Sequence, residues 1–302
     1  MSVVEKTLRK LQEAKQKGAA PAYERPPREG SSNAHSTAGP QASIEAMGQG
    51  SRIVLERVAL RAAGLLPLPE AELLLSTQYR KIKRPLIASA FGRGLPLLPK
   101  GYLIMLASSM AGEGKTFTAM NLALSMAREK DLSVLLVDAD VAKPHLSRVL
   151  GLEGERGLLD ALRDPRLDVE RLIRPTDVPT LSFLPAGVRS DDATELLASK
   201  RMDEVGVLLG RQHSQRIVLF DAPPLMQTTE SSALVQAAGQ VLVVVRAGLT
   251  PEPVLLDALE SLQDHPAVWL MLNQSTRSEA STYYYSGFGD ETPEREASLS
   301  TS

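Results

Sequence analysis

The sequence predicts an α/β fold in which helices cover both faces of a doubly wound parallel sheet. Two observations support this prediction. After Lys100, apolar segments of strand length alternate with longer segments of helical length. Several strand segments are apolar throughout, as expected of strands that are covered on both faces. Strand–helix–strand units are connected by right-handed crossovers, so the carboxyl ends of the strands should meet at one edge of the sheet.

The predicted elements follow the chain in order. Apolar residues return at Ile53–Leu68, and a helix is predicted over Glu70–Lys83, ended by Pro85 because proline has no N–H to donate. The predicted strands are Tyr102–Ala107, Ser133–Val137, Thr180–Leu184, Arg216–Phe220, Val241–Val245 and Val268–Leu272. The predicted helices between them are Thr116–Glu129, Ala193–Leu209, Ser231–Ala237 and Pro251–Leu262.

We expect one folded domain over residues 51–274, with its core at 101–274 and a polar segment on each side. Residues 1–17 are amphipathic and basic, which suits either a docking helix or a solvated helix. Residues 18–50 are rich in Gly, Pro, Ala, Ser and Gln, so a disordered linker is expected. Residues 275–302 return to a polar, turn-forming composition and are expected to form a flexible tail.

The composition excludes several classes of function. Hydrophobic residues make up 43% of the 302 residues and charged residues 23%, which provides enough apolar material for a core. A net charge of −2 argues against a nucleic-acid-binding protein. The absence of cysteine excludes disulfides, iron–sulfur clusters, Cys-ligated zinc and a thiol nucleophile. No apolar run has the length of a membrane span and no signal peptide is evident, so we expect a soluble, cytoplasmic protein.

A phosphate-binding loop follows the first predicted strand. The segment Ala107–Thr116 is a variant of the pattern G-x-x-x-x-G-K-[ST], with Ser109 in place of the first glycine. Gly112 and Gly114 allow backbone N–H groups to turn inward around phosphates, at the positive end of the helix that follows. The loop predicts nucleotide contacts at Ala111, Gly112, Glu113, Gly114, Lys115, Thr116 and Phe117.

Three aspartates follow predicted strands. Asp138 and Asp140 come after the second strand, and Asp221 comes after the fourth. Because ligands bind beyond the carboxyl ends of the strands in an open α/β sheet, these carboxylates should converge on the loop. There Lys115 can reach the β- and γ-phosphates and the Thr116 hydroxyl can ligate Mg²⁺. The aspartates can hold Mg²⁺, orient its water shell or accept a proton.

Two further polar residues follow strands near this edge. Asn273 could recognise an adenine edge, since an amide both donates and accepts, or it could bond its own backbone as a turn residue. Arg246 is either a neighbour of the nucleotide or an exposed strand end. The four histidines are isolated, and neither a G-x-S-x-G motif nor the eukaryotic kinase motifs HRD and DFG occur.

Three consecutive tyrosines, Tyr283, Tyr284 and Tyr285, stand in the polar tail. Without the nucleotide site, a sticky tail or a small packing patch would be the favoured explanation. Beside a phosphoryl donor they become candidate acceptors.

Together these motifs resemble the bacterial tyrosine autokinases of capsule and exopolysaccharide export, over roughly Glu72 to Tyr285. The segments Tyr79–Leu86, Asp138–Pro144 and Ala193–Ser199 are most similar to a soluble subgroup associated with exosortase-linked polysaccharide loci. The resemblance implies a P-loop NTPase fold that binds ATP. It also implies that the tail tyrosines are phosphorylated by a neighbouring subunit.

By the same resemblance, Lys115 binds phosphate and the acceptor tyrosine is polarised by Asp138. Mg²⁺ is assigned to Thr116, Asp140 and Asp221. Asp138 and Asp140 lie in the Walker A′ motif and Asp221 in Walker B, and with Lys115 they form the predicted catalytic set. Many family members have arginine where this chain has Ala142, which is followed here by lysine.

The family's subunit-docking helix corresponds to residues 70–84 of this chain. Its pattern Glu-x-x-Arg-x-x-Arg or Lys is represented here by Thr77, Arg80 and Lys83. The resemblance assigns contacts between subunits to Arg80 and Lys83.

The sequence therefore predicts an ATP- and Mg²⁺-dependent protein-tyrosine autokinase that regulates exopolysaccharide polymerisation. The implied partners are further copies of the chain, an inner-membrane polysaccharide co-polymerase and a cognate tyrosine phosphatase, with no nucleic acid. Its location would be cytoplasmic, peripheral at the inner membrane through that partner. One alternative is a membrane-cycling ATPase of the ParA/MinD type, although these carry an extra lysine where this chain has Met110. The other is an ATP-bound adaptor without turnover.

Overall fold

A computed structural model describes residues 52–211 and 215–275 of the chain. The predictions for residues 1–17 and 18–50, and for the tyrosine cluster Tyr283–Tyr285, lie outside the described residues. Within the described ranges, no helix is long and apolar enough to cross a bilayer.

Strands and helices alternate along the described chain, as predicted. The strands are β1 (Leu103–Ser108), β2 (Ser133–Asp138), β3 (Arg174–Pro175), β4 (Leu181–Leu184), β5 (Arg216–Asp221), β6 (Gln240–Arg246) and β7 (Val268–Asn273). The α-helices are α1 (Arg57–Ala62), α2 (Pro69–Phe91), α3 (Lys115–Met126), α4 (His145–Val149), α5 (Leu158–Arg163), α6 (Ala193–Leu197), α7 (Lys200–Arg211), α8 (Thr229–Ala237) and α9 (Glu252–Glu260). A short 3₁₀-helix spans Val169–Leu172.

The seven strands form one sheet in the order β3-β4-β2-β5-β1-β6-β7. All neighbouring strands are parallel except the short antiparallel pair β3 and β4. In the register of β2 and β5, Asp138 lies directly beside Asp221. The topology therefore brings two of the predicted site residues together from positions 83 apart in the sequence.

Helices cover both faces of this sheet, which confirms the doubly wound α/β prediction. Along β1, Ile104 and Leu106 belong to one apolar core, whereas Met105 and Ala107 belong to the other. The first core is covered by α1–α4 and the second by α5–α9. This alternation follows from the two-residue period of a strand.

Two predicted helix boundaries are wrong. Helix α2 continues through Pro85 to Phe91, because the following turns are buried against the first core through Leu86, Ile87 and Ala90. The stabilisation from that packing offsets the loss of the backbone hydrogen bond that proline cannot donate. The predicted helix Ala193–Leu209 is two helices, α6 and α7, with a break at residues 198–199, where the Ser199 hydroxyl donates to Leu196 O.

Candidate functional site

The phosphate-binding loop connects β1 to α3 and depends on two glycines. Gly112 and Gly114 have φ angles of 83° and 90°, in the left-handed region that side chains disfavour. A Cβ atom at Gly114 would also overlap the Asn273 amide nitrogen. Around Gly112 the corresponding space is open. The predicted loop is therefore present, and its backbone conformation favours glycine at both positions.

Glu113 braces the loop from within. Its side chain is buried, and Oε2 accepts a hydrogen bond from Met110 N at 2.8 Å. Oε1 accepts from the hydroxyl of Thr250, which lies after β6. The side chain of this predicted nucleotide contact is thus occupied by hydrogen bonds within the protein.

Residues at the ends of β6 and β7 hold the loop from outside. Arg246 Nη1 donates to Gly112 O at 3.4 Å, and Asn273 Nδ2 donates to Glu113 O at 2.9 Å. The Asn273 side-chain oxygen accepts from Gln274 N at 2.9 Å, which is the turn contact considered from the sequence. Both ends of the Asn273 amide therefore have partners within the protein. Adenine recognition by Asn273 stays a prediction.

Lys115 and Thr116 are the first residues of α3, at the positive end of the helix. Lys115 is buried, and its charge acts on both Asp140 and Asp221. Phe117, the next residue, lines a cavity of about 820 Å³ between α2 and β7, together with Gly114 and Asn273. The structure therefore brings the predicted loop residues and two of the aspartates to the same place.

Asp138 ends β2 and is fully buried. Its Oδ2 accepts hydrogen bonds from the backbone N and the hydroxyl of Ser147, both at 2.8 Å. Oδ1 has no hydrogen-bond partner among the described residues. Burial, and next the charge of Asp221, raise the pKa of Asp138 to about 7. A carboxyl group in this range can exchange a proton near neutral pH.

Asp221 and Asp140 complete the acidic group. Burial raises the pKa of Asp221 to about 6, while the Lys115 ammonium and the Thr116 hydroxyl act in the opposite direction. Burial also raises the pKa of Asp140, whose Oδ1 accepts from Lys143 N at 3.2 Å. Like Asp138, Asp221 keeps one buried oxygen without a partner among the described residues.

The three carboxylates suit a divalent cation that binds together with the phosphates of a nucleotide. Unpaired buried carboxylate oxygens are costly, and a divalent ion would satisfy them. Among the described residues, no three His, Cys, Asp or Glu side chains are grouped closely enough to hold a metal alone. Mg²⁺ in nucleotide sites is held by one or two carboxylates together with phosphate oxygens, which agrees with this arrangement. Assignment of Thr116, Asp140 and Asp221 to Mg²⁺ stays a prediction.

The two residues predicted to contact other subunits have different surroundings. Arg80 is exposed on α2. Lys83 is buried: its ammonium lies 2.7 Å from Glu129 Oε1 and donates to Ser125 O at 2.5 Å. Lys83 therefore fastens α2 to α3 within one chain, whereas Arg80 is accessible.

Ser147 is a site residue that the sequence analysis missed. Besides its two bonds to Asp138, its hydroxyl accepts from Ala186 N at 3.1 Å, beyond the end of β4. A serine nine residues after an aspartate belongs to no motif, so no signal in the sequence identified it. It fixes the orientation of the Asp138 carboxylate.

Comparisons with known proteins agree with this geometry. A family model described as an AAA domain matches residues 101–264. EpsB of Ralstonia nicotianae is 33% identical over 62% of this chain and 24% of its own length. The tyrosine-protein kinase YwqD of Bacillus subtilis is 28% identical over 75% of this chain and 92% of its own length. The succinoglycan biosynthesis transport protein ExoP of Rhizobium meliloti is 28% identical over 60% of this chain and 23% of its own length.

The chain thus spans about a quarter of EpsB and ExoP but nearly all of YwqD. Among solved structures, the kinase domain of VpsO superposes with a TM-score of 0.54 and 25% identity. That superposition covers 67% of this chain and 98% of the VpsO domain.

Proposed function

The chain belongs to the AAA-domain family, and from this premise we propose that it is an ATP-dependent protein-tyrosine kinase that phosphorylates Tyr283, Tyr284 and Tyr285 of a second copy. The observation that carries the proposal is the pair of buried carboxylates, Asp138 and Asp221, beside the phosphate-binding loop. Each has one oxygen without a hydrogen-bond partner among the described residues.

The relatives favour transfer to tyrosine over hydrolysis. YwqD, which this chain spans almost completely, is named a tyrosine-protein kinase, and the VpsO domain is described as a kinase domain. Met110, at the position where partitioning ATPases of the alternative class have an extra lysine, points in the same direction.

In the proposed reaction, the phenol oxygen of a tyrosine forms a bond to the γ-phosphorus of ATP as the bond to the ADP oxygen breaks. Asp138 takes the phenol proton, for which a pKa of about 7 is suitable. Backbone N–H groups of the loop and the Lys115 ammonium stabilise the charge on the transferred group. Ser147 keeps the Asp138 carboxylate in position through two hydrogen bonds.

Thr116, Asp140 and Asp221 would hold Mg²⁺, which neutralises phosphate charge when it is bound. The unpaired Asp221 oxygen supports this assignment. We assign regulation of exopolysaccharide production, through an inner-membrane co-polymerase, from the sequence resemblance and from the name of ExoP. Arg80 is the exposed candidate for a contact between copies, and a cognate phosphatase would reverse the modification.

Intact mass spectrometry after incubation with Mg-ATP tests the kinase proposal. The full chain should gain mass in steps of one phosphate. The gain should be absent in Lys115→Met and in the triple variant Tyr283→Phe, Tyr284→Phe, Tyr285→Phe. The triple variant serves as the matched control, because it changes only the acceptors. Release of inorganic phosphate without any mass gain would contradict the proposal and favour an ATPase.

A further inference from the structure

A second cavity lies beside the acidic group. It has a volume of about 380 Å³ and is bordered by the segment that directly follows Asp140 and by the loop after β4. Three cationic side chains line it, Lys143, Arg148 and Arg189, together with one carboxylate, Glu153. The lining therefore carries a net of two positive charges next to the catalytic edge of the sheet.

The three cations lack the ion pairs that are common elsewhere on this protein. Within the described residues, none of them lies within ion-pairing distance of a carboxylate, although the Lys143 charge acts on Asp140 over a longer distance. Arg148 Nη2 lies 3.5 Å from the His145 ring. By contrast, Arg174 lies 2.6 Å from Glu155. Unpaired cations that share a cavity favour an anionic ligand.

The walls of the cavity are fixed relative to Asp138. The Ser147 hydroxyl, next to Arg148 in the chain, binds both Asp138 and the backbone N–H of Ala186. On the opposite wall, Asp160 Oδ2 accepts from Val188 N at 3.0 Å, which anchors the loop that carries Arg189. An anion held between these arginines would thus lie at a defined position beside the proposed catalytic base.

We propose that this cavity binds a phosphotyrosine of the Tyr283–Tyr285 cluster of a second copy while the next tyrosine occupies the acceptor position at Asp138. The inference rests on the proposed kinase function. A phosphotyrosine carries a charge of about −1.5 to −2, which matches the net charge of the lining. Guanidinium groups pair with phosphate through two parallel hydrogen bonds. The cavity also has room for a ring in addition to the phosphate.

The adjacency of the two subsites explains why consecutive tyrosines are useful. The cavity lining begins at the residue after Asp140, so its ligand should be close in sequence to the acceptor. In a cluster of three, every phosphorylated residue has another tyrosine within two positions. The first phosphate then strengthens binding of the tail, and the cluster is filled in succession.

Direct binding of peptides to the full chain tests the inference without requiring turnover. Labelled peptides of residues 279–290, either unmodified or phosphorylated at Tyr284, would be titrated against the triple Tyr→Phe chain by fluorescence anisotropy. We expect the phosphopeptide to bind about tenfold more tightly. Arg189→Ala and Arg148→Ala should each remove most of that difference while the unmodified peptide binds as before. Arg171→Ala, an exposed arginine outside the cavity, is the matched control.

Equal affinity for the two peptides would overturn the inference, as would an equal loss in all three arginine variants. Displacement of the phosphopeptide by inorganic phosphate at the same concentration would overturn it too, and would assign the cavity to free phosphate. Failure of the kinase proposal would appear separately, as the absence of a mass gain with Mg-ATP.

Discussion

Strand β5 has a basic residue at its amino end and an acidic residue at its carboxyl end, and the two differ in how completely the protein satisfies their hydrogen bonds. Arg216 at the amino end and Asp221 at the carboxyl end are both almost completely buried. The Arg216 guanidinium donates to both carboxylate oxygens of Glu170, at 2.6 and 3.2 Å, and to Leu209 O at 3.0 Å. Asp221 keeps an oxygen without any partner among the described residues. Two residues five positions apart on one strand thus belong to a completed polar network and to an incomplete one.

Neighbouring strands show the same difference. At the amino end of β6, Gln240 donates to Leu86 O and Gly101 O, and its oxygen accepts from Trp269 Nε1. At the carboxyl end of β2, Asp138 is half-satisfied. At the amino end of β2, the Ser133 hydroxyl has no partner among the described residues, but a neutral hydroxyl costs less to bury than a carboxylate. The amino edge is built for stability, and the carboxyl edge keeps its bonding capacity for a ligand.

The largest expected effect concerns the completed network. Glu170→Ala leaves the Arg216 guanidinium buried without its charge partner, so we expect a loss of about 3–5 kcal/mol in the free energy of unfolding. Urea unfolding measures it. Glu155→Ala, which breaks the more exposed pair with Arg174, should cost no more than about 1 kcal/mol. Similar losses in both variants would show that burial does not distinguish these pairs.

At the carboxyl edge of the sheet, Asp138→Asn should lower the activity while the protein stays folded. Removal of the proposed base should slow tyrosine phosphorylation about 100-fold, since general-base catalysis contributes on this scale. The asparagine oxygen can still accept from Ser147 N, so the fold should be retained. Phosphorylation kinetics and urea unfolding of the same preparation provide the two measurements. If unfolding of the Asp138→Asn variant fully explained its loss of activity, the assignment of Asp138 as the base would be contradicted.

The same variant makes the pH dependence testable. The pKa of Asp138 is raised from 3.8 to about 7 in the folded state, so its stabilising contribution is complete below about pH 4 and is lost as pH rises through 7. Between pH 8 and pH 5.5 the wild type should gain about 2 kcal/mol relative to Asp138→Asn. Unfolding of both proteins at the two pH values in metal-free buffer checks the sign. An unchanged difference would mean that this carboxyl titrates normally.

The smallest expected effect is at Gly112. An alanine there meets no neighbouring atom but must adopt a φ angle of 83°, so the loss of stability should be about 1 kcal/mol. Binding of ADP, measured calorimetrically, should weaken as well, because the open space around Gly112 is where we expect phosphate. Normal ADP affinity in a folded Gly112→Ala variant would place the phosphates elsewhere.

Sequence patterns predicted the sheet more reliably than they predicted the supporting contacts. The six predicted strands agree with the structure to within one residue. The central strands β1, β5 and β6 are buried on both faces, which explains their continuous apolar segments. The two-residue β3 and the passage of α2 through Pro85 depend on tertiary packing, which no local pattern records.

The candidate site divides in the same way. The loop and the three aspartates follow a motif and the strand ends, so their convergence could be predicted. The bond between Glu113 and Thr250 joins residues 137 positions apart, and no spacing rule identifies it. The resemblance assigns Lys83 to a subunit contact, which stays a prediction; its burial beside Glu129 within one chain is a further contact that no spacing rule identifies.

That ion pair has a mechanical consequence. Ser125 lies in the last turn of the helix whose first residues are Lys115 and Thr116, Glu129 follows that helix by three residues, and Lys83 connects both to α2. Displacement of α2 alone, from its exposed side at Arg80, would therefore have to break the contacts that the buried Lys83 makes with Ser125 and Glu129. The exposed side of α2 and the phosphate-binding loop are thus joined through one continuous series of contacts: Lys83 at one end of α3 and Lys115 at the other.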